Sequence, residues 1–516
     1  MKIDTGECEE TGSVDKQPNL ITASMLYDLV ACPHRITMDL YADPADRDEP
    51  NAFIELLWER GSLYEREVME GFTEPYCNLS SHSGEEKEQL TFEAMGRGEP
   101  LIYSGRISAD GLFGEPDLLR KQDSGYIAGD IKSGSGEEGP EDNSKPKIHY
   151  AVQLGLYTDI LEKKGLSGGH RAFVWDIHGK EISYDFEEPY GKRNPRTLWQ
   201  DYQEALEQAR EIVGANAMTL PAYGAVCKLC HWYTACVKRL KDSDDLTMIP
   251  ELGRSKRDVM YDHIKSVSQL AESNVESFLV GNKTTFPGIG PDTLKKFHER
   301  ARLLTSRKSR PYTRTEIQFP ENDRELFFDI EVDPMRDICY LHGFVERRGR
   351  DNGTEIFVSA MAEEPTPDSE KKAFAEAWKY IQRSRPCTIY YYSKYERTIY
   401  RILQAKYPDV CSPEEVEEIF DPAFAIDLYN DAVKKHTEWP TWDFSIKTLA
   451  KYLGFSWRDT HPSGAASIEW FNRWVETGDP EVRKRILDYN EDDCRATRVL
   501  RDALEILPIS NGEDVA

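Results

Sequence analysis

LFFDIEV, residues 326–332, alternates so that Leu326, Phe328, Ile330 and Val332 fall on one side of an extended chain and Phe327, Asp329 and Glu331 on the other. This period of two predicts a strand. Two carboxylates adjacent on one strand face repel each other and lose hydration unless something positive lies against them. The stretch therefore reads either as the cation-facing strand of an α/β domain or as a half-exposed edge strand.

The rest of the C-terminal half bears on that choice. ICYLHGFVE and EIFVSAM read as two further strands, KKAFAEAWKYIQ as a helix and CTIYYYS as a strand, with a mostly helical remainder. In ILDYNEDDCRATRVL, Ile486, Tyr489, Ala496, Thr497 and Leu500 define an inward helical stripe, and Asp493 falls on it one turn after Tyr489. Asp488, Glu491 and Asp492 read as a solvated face. The order D-x-E, then an acid after IYYYSKY, then Y-x-x-x-D resembles the RNase H-like exonucleases of the DEDDy group, most closely the YprB-type branch, over roughly residues 320–505. The resemblance implies that Asp329, Glu331, Glu396 and Asp493 hold two Mg²⁺ or Mn²⁺ ions. It also implies that Tyr489 positions the attacking water and that cleavage runs 3′ to 5′. Glu396 stands where that group usually carries aspartate.

A second set of carboxylates lies near the N-terminus. In GEPDLLRKQDSGYIAGDIKSG, Asp117 follows a turn, and Asp130 and Lys132 are two apart on a predicted strand, hence on one side of it. That set suits metal-assisted phosphodiester cleavage, although DIK taken alone reads more readily as an exposed strand with an ordinary ion pair. Glu65 in RGSLYERE precedes it, and Gln153 and Tyr157 in QLGLY share one face of a later helix. The ordered set resembles the PD-(D/E)xK nucleases of the RecB family, whose late helix carries Q-x-x-x-Y; Glu65 occupies a position that is commonly histidine there. By that resemblance Glu65, Asp117 and Asp130 are ligands of a divalent metal, and Lys132, Gln153 and Tyr157 are catalytic.

CKLCHWYTAC places Cys227, Cys230 and Cys236 within ten residues, three quarters of a tetrahedral thiolate site. One branch of RecB-like nucleases, which includes helicase-nuclease subunits and CRISPR-associated four-cysteine exonucleases, has one cysteine before the nuclease core and three after it. Cys32 in LVACPHR takes the first place. The resemblance implies a structural 4Fe–4S cluster on Cys32, Cys227, Cys230 and Cys236. Zinc is the alternative, with His231 a possible imidazole ligand.

Between these regions, residues 251–310 carry 12 Lys/Arg against 7 Asp/Glu in a chain whose net charge is −27. FPGIGPDTLKKF has a glycine-rich turn at Gly288 and Gly290, with Pro291 at an expected first helical position. It looks like a helix-hairpin-helix motif that cradles a phosphate, with a weaker copy at MIPELGRSK and added charge from Lys295, Lys296 and Arg300. A helix-connecting spacer is the alternative.

At 516 residues the chain is expected to hold about three domains. The predicted organisation is a disordered acidic tail over 1–19, a PD-(D/E)xK domain over 20–245, tandem helix-hairpin-helix repeats over 246–312, an RNase H-like α/β domain over 313–507 and a tail over 508–516. The polar opening MKIDTGECEETGSVDKQPN and the lack of any long apolar run predict a protein that neither enters a membrane nor is exported. Ten mostly scattered cysteines suit the cytoplasm better than a disulfide framework. No G-x-x-x-x-G-K-[ST] stretch occurs, so intrinsic ATP-driven unwinding is not expected, although a helicase acting in trans is an open partner. The expected function is a metal-dependent nuclease with two active sites, acting on nucleic acid, DNA ahead of RNA. The alternative is a nucleic-acid-binding scaffold with decayed sites, a reading prompted by the departures at Glu65 and Glu396.

Overall fold

The structure, a computed structural model, describes residues 20–50, 52–122, 124–139, 144–191 and 194–510. The tail predicted over 1–19, and residues 511–516 of the one predicted over 508–516, lie outside them. The chain divides into two compact units. The first takes residues up to 46 together with 60–220, the second 47–59 together with 221 onward. No helix among the described residues is long and apolar enough to cross a membrane.

The first unit is built on a six-stranded mixed sheet, in the order Glu181–Asp185, Ser167–Trp175, Gly125–Ile131, Leu118–Gln122, Leu101–Tyr103, Cys77–Asn78. Gly125–Ile131 pairs antiparallel with Leu118–Gln122 and parallel with Ser167–Trp175. Both neighbours make it a central strand, and its residues are buried from Tyr126 onward. The helix Ile148–Lys163 is apolar around most of its circumference and accordingly buried, with Leu154, Leu156 and Ile160 closed to solvent. The helical phrase LITASMLYDLVACPHRITMDLY is two helices rather than one, Ala23–Ala31 and Pro33–Tyr41. Cys32 between them is extended, with φ −162° and ψ 106°, because a following proline disfavours the helical conformation.

In the second unit a five-stranded sheet runs in the order Asp351–Met361, Ile338–Arg348, Arg324–Asp333, Thr388–Tyr391, Ala425–Asp427. The first three strands are antiparallel, and the last two join parallel. Leu326, Phe328 and Ile330 pack with Phe374 and Trp378 of the helix Pro367–Ser384 and Tyr400 of the helix Tyr395–Lys406. On the opposite face Phe327 packs with Leu500 and Leu504 of the long helix Pro480–Glu505. LFFDIEV is therefore a central strand, not an edge, and Asp329 and Glu331 share the side of the long helix.

Residues 240–301 of the same unit have a small apolar core of their own, including Leu252, Met260, Leu270, Phe286, Leu294 and Phe297. Gly288 turns with φ +77°, Gly290 caps the helix Pro291–Thr305, and Pro291 is its first residue. In the earlier turn Gly253 has φ +68° at the start of the helix Gly253–Met260.

Candidate active sites

In the second unit, oxygen atoms of Asp329, Glu331 and Asp493 all lie within 4.8 Å of one another, the single such group of potential metal ligands among the described residues. Two come from the central strand and one from the helix that packs across it. That helix approaches closely because the strand position paired with Asp329 is Gly343: a Cβ there would fall 1.6 Å from Asn490 Oδ1. Asn490 in turn donates to Asp329 Oδ2 at 2.7 Å. Burial, and next the neighbouring Asp493 and Glu331, hold the Asp329 carboxyl far above its ordinary range. Burial and Asp493 push Glu331 up to about 8.

Glu396 sits on the first turn of its helix and is close enough to Asp329 to raise its proton affinity. It is itself 4% exposed, its own pKa is raised by burial, and its Oε2 has no hydrogen-bond partner. A buried carboxylate oxygen without a partner calls for a cation. Asp427 is also buried nearby, but its carboxylate accepts N–H bonds from Ser393 at 3.1 Å and Asn430 at 2.9 Å and so caps a turn. The four expected carboxylates thus have the donor chemistry a divalent metal needs.

Two residues of this site were not singled out from sequence. Lys447 Nζ donates to the Tyr489 hydroxyl at 2.7 Å and lies 3.5 Å from Asp493 Oδ2, while Trp457 Nε1 donates to Asp493 Oδ1 at 2.7 Å. The Lys447 charge works against the burial and like charges that raise the Asp329 and Glu331 carboxyls. Asp492, expected on a solvated face, is instead buried and held by Arg458 Nε at 3.0 Å and the Arg458 backbone N–H at 2.7 Å.

The first unit also assembles its predicted set. Asp130 is 1% exposed and pairs with Lys132 Nζ at 2.9 Å; Lys132 donates to Gln153 Oε1 at 3.3 Å, and Gln153 Nε2 to the Tyr157 hydroxyl at 3.2 Å. Asp117 Oδ2 accepts the Ile131 N–H at 2.8 Å. Burial first, and then Asp130, raise the Asp117 pKa well above normal. For Lys132 burial works downward, but Asp130 and Asp117 outweigh it and raise its pKa. An exposed ion pair is therefore not what DIK forms. Glu65 hydrogen-bonds the Tyr103 side chain and raises the pKa of Asp117 through its charge, but Glu65, Asp117 and Asp130 form no ligand group as tight as that of the second unit.

Of the hairpin cations, Arg300 does not stand as expected. Arg300 is fully buried, donating to Glu438 Oε2 at 2.7 Å, Pro250 O at 2.7 Å and Glu251 Oε2 at 3.0 Å, so it serves packing rather than a phosphate. Lys296 pairs with Glu251 at 3.2 Å and Lys295 with Glu276 at 2.9 Å. Cys227 lies in the 3₁₀ segment Ala225–Leu229, Cys230 follows it, and Cys236 lies in the helix Tyr233–Asp242; all three and Cys32 are half-buried. The cysteines are not among the side chains that converge as a ligand group.

Residues 33–237 match the family model of the PD-(D/E)XK nuclease superfamily, and residues 326–505 match that of the RNase H superfamily. No curated protein matches the chain. Both superfamilies hydrolyse phosphodiesters, generally with Mg²⁺ or Mn²⁺. With one set of carboxylates in each matched segment, the chain carries two nuclease-superfamily domains, a PD-(D/E)XK domain followed by an RNase H domain.

Proposed function

We propose that the protein is a nuclease with two separate active sites, the C-terminal one a DEDDy exonuclease working from 3′ ends and the N-terminal one a RecB-like site, with DNA the preferred substrate. The observation that carries this reading is the convergence of Asp329, Glu331 and Asp493 on one point, with Glu396 buried beside them. Like charges so placed are stable as anions only against a cation.

Asp329, Glu331, Glu396 and Asp493 would hold Mg²⁺ or Mn²⁺. Divalent ions bound there supply an activated water and offset charge on the entering and leaving oxygens. The Tyr489 hydroxyl, held by Lys447 Nζ, orients the attacking water, and Lys447 adds a positive charge beside the reacting phosphate. In the first unit, Asp117, Asp130 and Glu65 play the acidic part. Lys132, fixed by Asp130 and Gln153, faces the scissile phosphate. We further assign residues 20–245 to the RecB-like module, 246–312 to helix-hairpin-helix repeats and 313–507 to the YprB-type module. The cysteine spacing supports a 4Fe–4S cluster as a structural staple of the first module.

Equilibrium Mn²⁺ binding tests the C-terminal assignment. The parent should take up Mn²⁺ saturably and release nucleotides from a 3′-labelled strand, and Asp329→Ala with Asp493→Ala should lose the 3′ activity together with the corresponding share of Mn²⁺. Identical uptake and identical 3′ release in the double variant would show that these carboxylates hold no catalytic metal.

A further inference from the structure

We propose that a cavity in the second unit, walled by the cysteine-bearing segment, the turn around Pro250 and the Trp442–Ser445 loop, seats an unpaired stretch of the nucleic-acid substrate, one base against Trp442 and a backbone phosphate against Lys228. The inference rests on the nuclease reading above and adds the strand state of the substrate and the place where it is gripped.

The cavity has a volume of about 450 Å³, and its lining includes Tyr223, Lys228, Ser255, Lys256, Tyr429 and Trp442. That is room for a nucleotide-sized group and not for a duplex. Trp442 is 42% exposed, an unusual state for so large an apolar ring, and Lys241 lies over it at 4.3 Å from the centroid. An exposed indole in a cavity that Tyr429 also lines is a stacking platform that accepts any base.

The charges around it favour an anion. Glu251 is matched by Lys296, Arg300 and Lys434, at 3.2, 3.0 and 3.3 Å. Asp443 accepts the N–H and the hydroxyl of Ser445 at 2.8 and 2.7 Å. Lys256 Nζ donates to the neutral carbonyl oxygens of Glu251 and Leu252 at 2.9 and 3.3 Å. Lys228 is exposed and has no carboxylate partner among the described residues. Of the wall's two carboxylates Glu251 is ion-paired and Asp443 is not, so Lys228 and Lys256 stand against Asp443 alone, a surplus of one positive charge.

Position ties the cavity to the chemistry. Ser445, on its wall, caps the helix Ile446–Tyr452, and Lys447, two residues on, holds Tyr489 beside Asp493. Two residues of helix advance only about 3 Å along its axis, so the short helix that starts on the cavity wall also carries the lysine that holds Tyr489.

The test is fluorescence anisotropy of full-length protein with a short fluorescein-labelled oligothymidylate, with Ca²⁺ replacing Mg²⁺ to suppress turnover. Trp442→Ala should raise Kd roughly tenfold. Lys228→Gln should reduce the slope of log Kd against log salt by about 0.7. Neither should change hydrolysis of the p-nitrophenyl ester of thymidine 5′-monophosphate, which is too short to need the cavity. Parent-like affinity and salt slope in both variants, or equal competition by a blunt duplex, would overturn the proposal while leaving the nuclease reading intact. Binding that depends on Trp442 and Lys228 in a protein that hydrolyses neither strand nor ester would uphold the cavity and overturn the nuclease reading.

Discussion

Asp329 and Glu331 differ from surface acids in what they do to stability. Free carboxylates ionise near pH 4, whereas burial and Asp493 keep the proton on Glu331 up to about 8. Between those values the folded, metal-free chain binds more protons than the unfolded one, so stability falls as pH rises. The stabilising contribution is complete below the unfolded pKa and lost as pH climbs through the folded one. In EDTA the Tm should therefore fall between pH 5 and 8, the fall should be smaller in Glu331→Gln, and Mn²⁺ should restore the parent most at the alkaline end. Equal pH slopes for parent and variant in EDTA would contradict this origin. Alternation alone places Asp329 and Glu331 together, and helical spacing places Tyr489 above Asp493; these four were legible because both signals are local. Lys447 was not, since a lysine on a seven-residue helix gains meaning only when the long helix brings Tyr489 to it. Asp492 looked solvated because its partner Arg458 is 34 positions away.

At the scale of elements, the site depends on how closely the helix Pro480–Glu505 lies over the strand pair at Asp329 and Gly343. Any side chain at Gly343 meets the Asn490 carboxamide. Gly343→Ala should cost about 1–3 kcal/mol in denaturant unfolding, as overpacking does. It should also slow 3′ cleavage by at least an order of magnitude, because Tyr489 and Asp493 move with Asn490. Parent-like stability and rate would mean that the helix yields there without consequence. The helices and strands themselves were mostly readable from period and length. The break at Cys32 follows from Pro33 and was equally there to be read. The fate of Arg300 was not, because its carboxylate Glu438 lies 138 positions away and nothing local distinguishes a buried arginine from a phosphate-facing one.

Across the whole molecule, two nuclease-superfamily segments occur in one acidic chain with cysteines at the edges of the first. If the thiolates hold a cluster, anaerobically purified protein is brown with roughly four iron and four acid-labile sulfide per chain, and Cys236→Ala loses both. Colourless protein with one stoichiometric zinc would replace that cluster with a zinc site. The most direct test of the central claim, two independent active sites, is a paired cleavage assay on 3′-labelled linear and on circular single strands in Mg²⁺ and Mn²⁺. Asp130→Ala with Lys132→Ala should abolish one activity and spare release from 3′ ends; Asp329→Ala with Asp493→Ala should do the reverse, each loss amounting to orders of magnitude in rate. If the Asp329/Asp493 variant matched the parent on every linear strand, the C-terminal domain would be a binding module and the two-site account would be wrong.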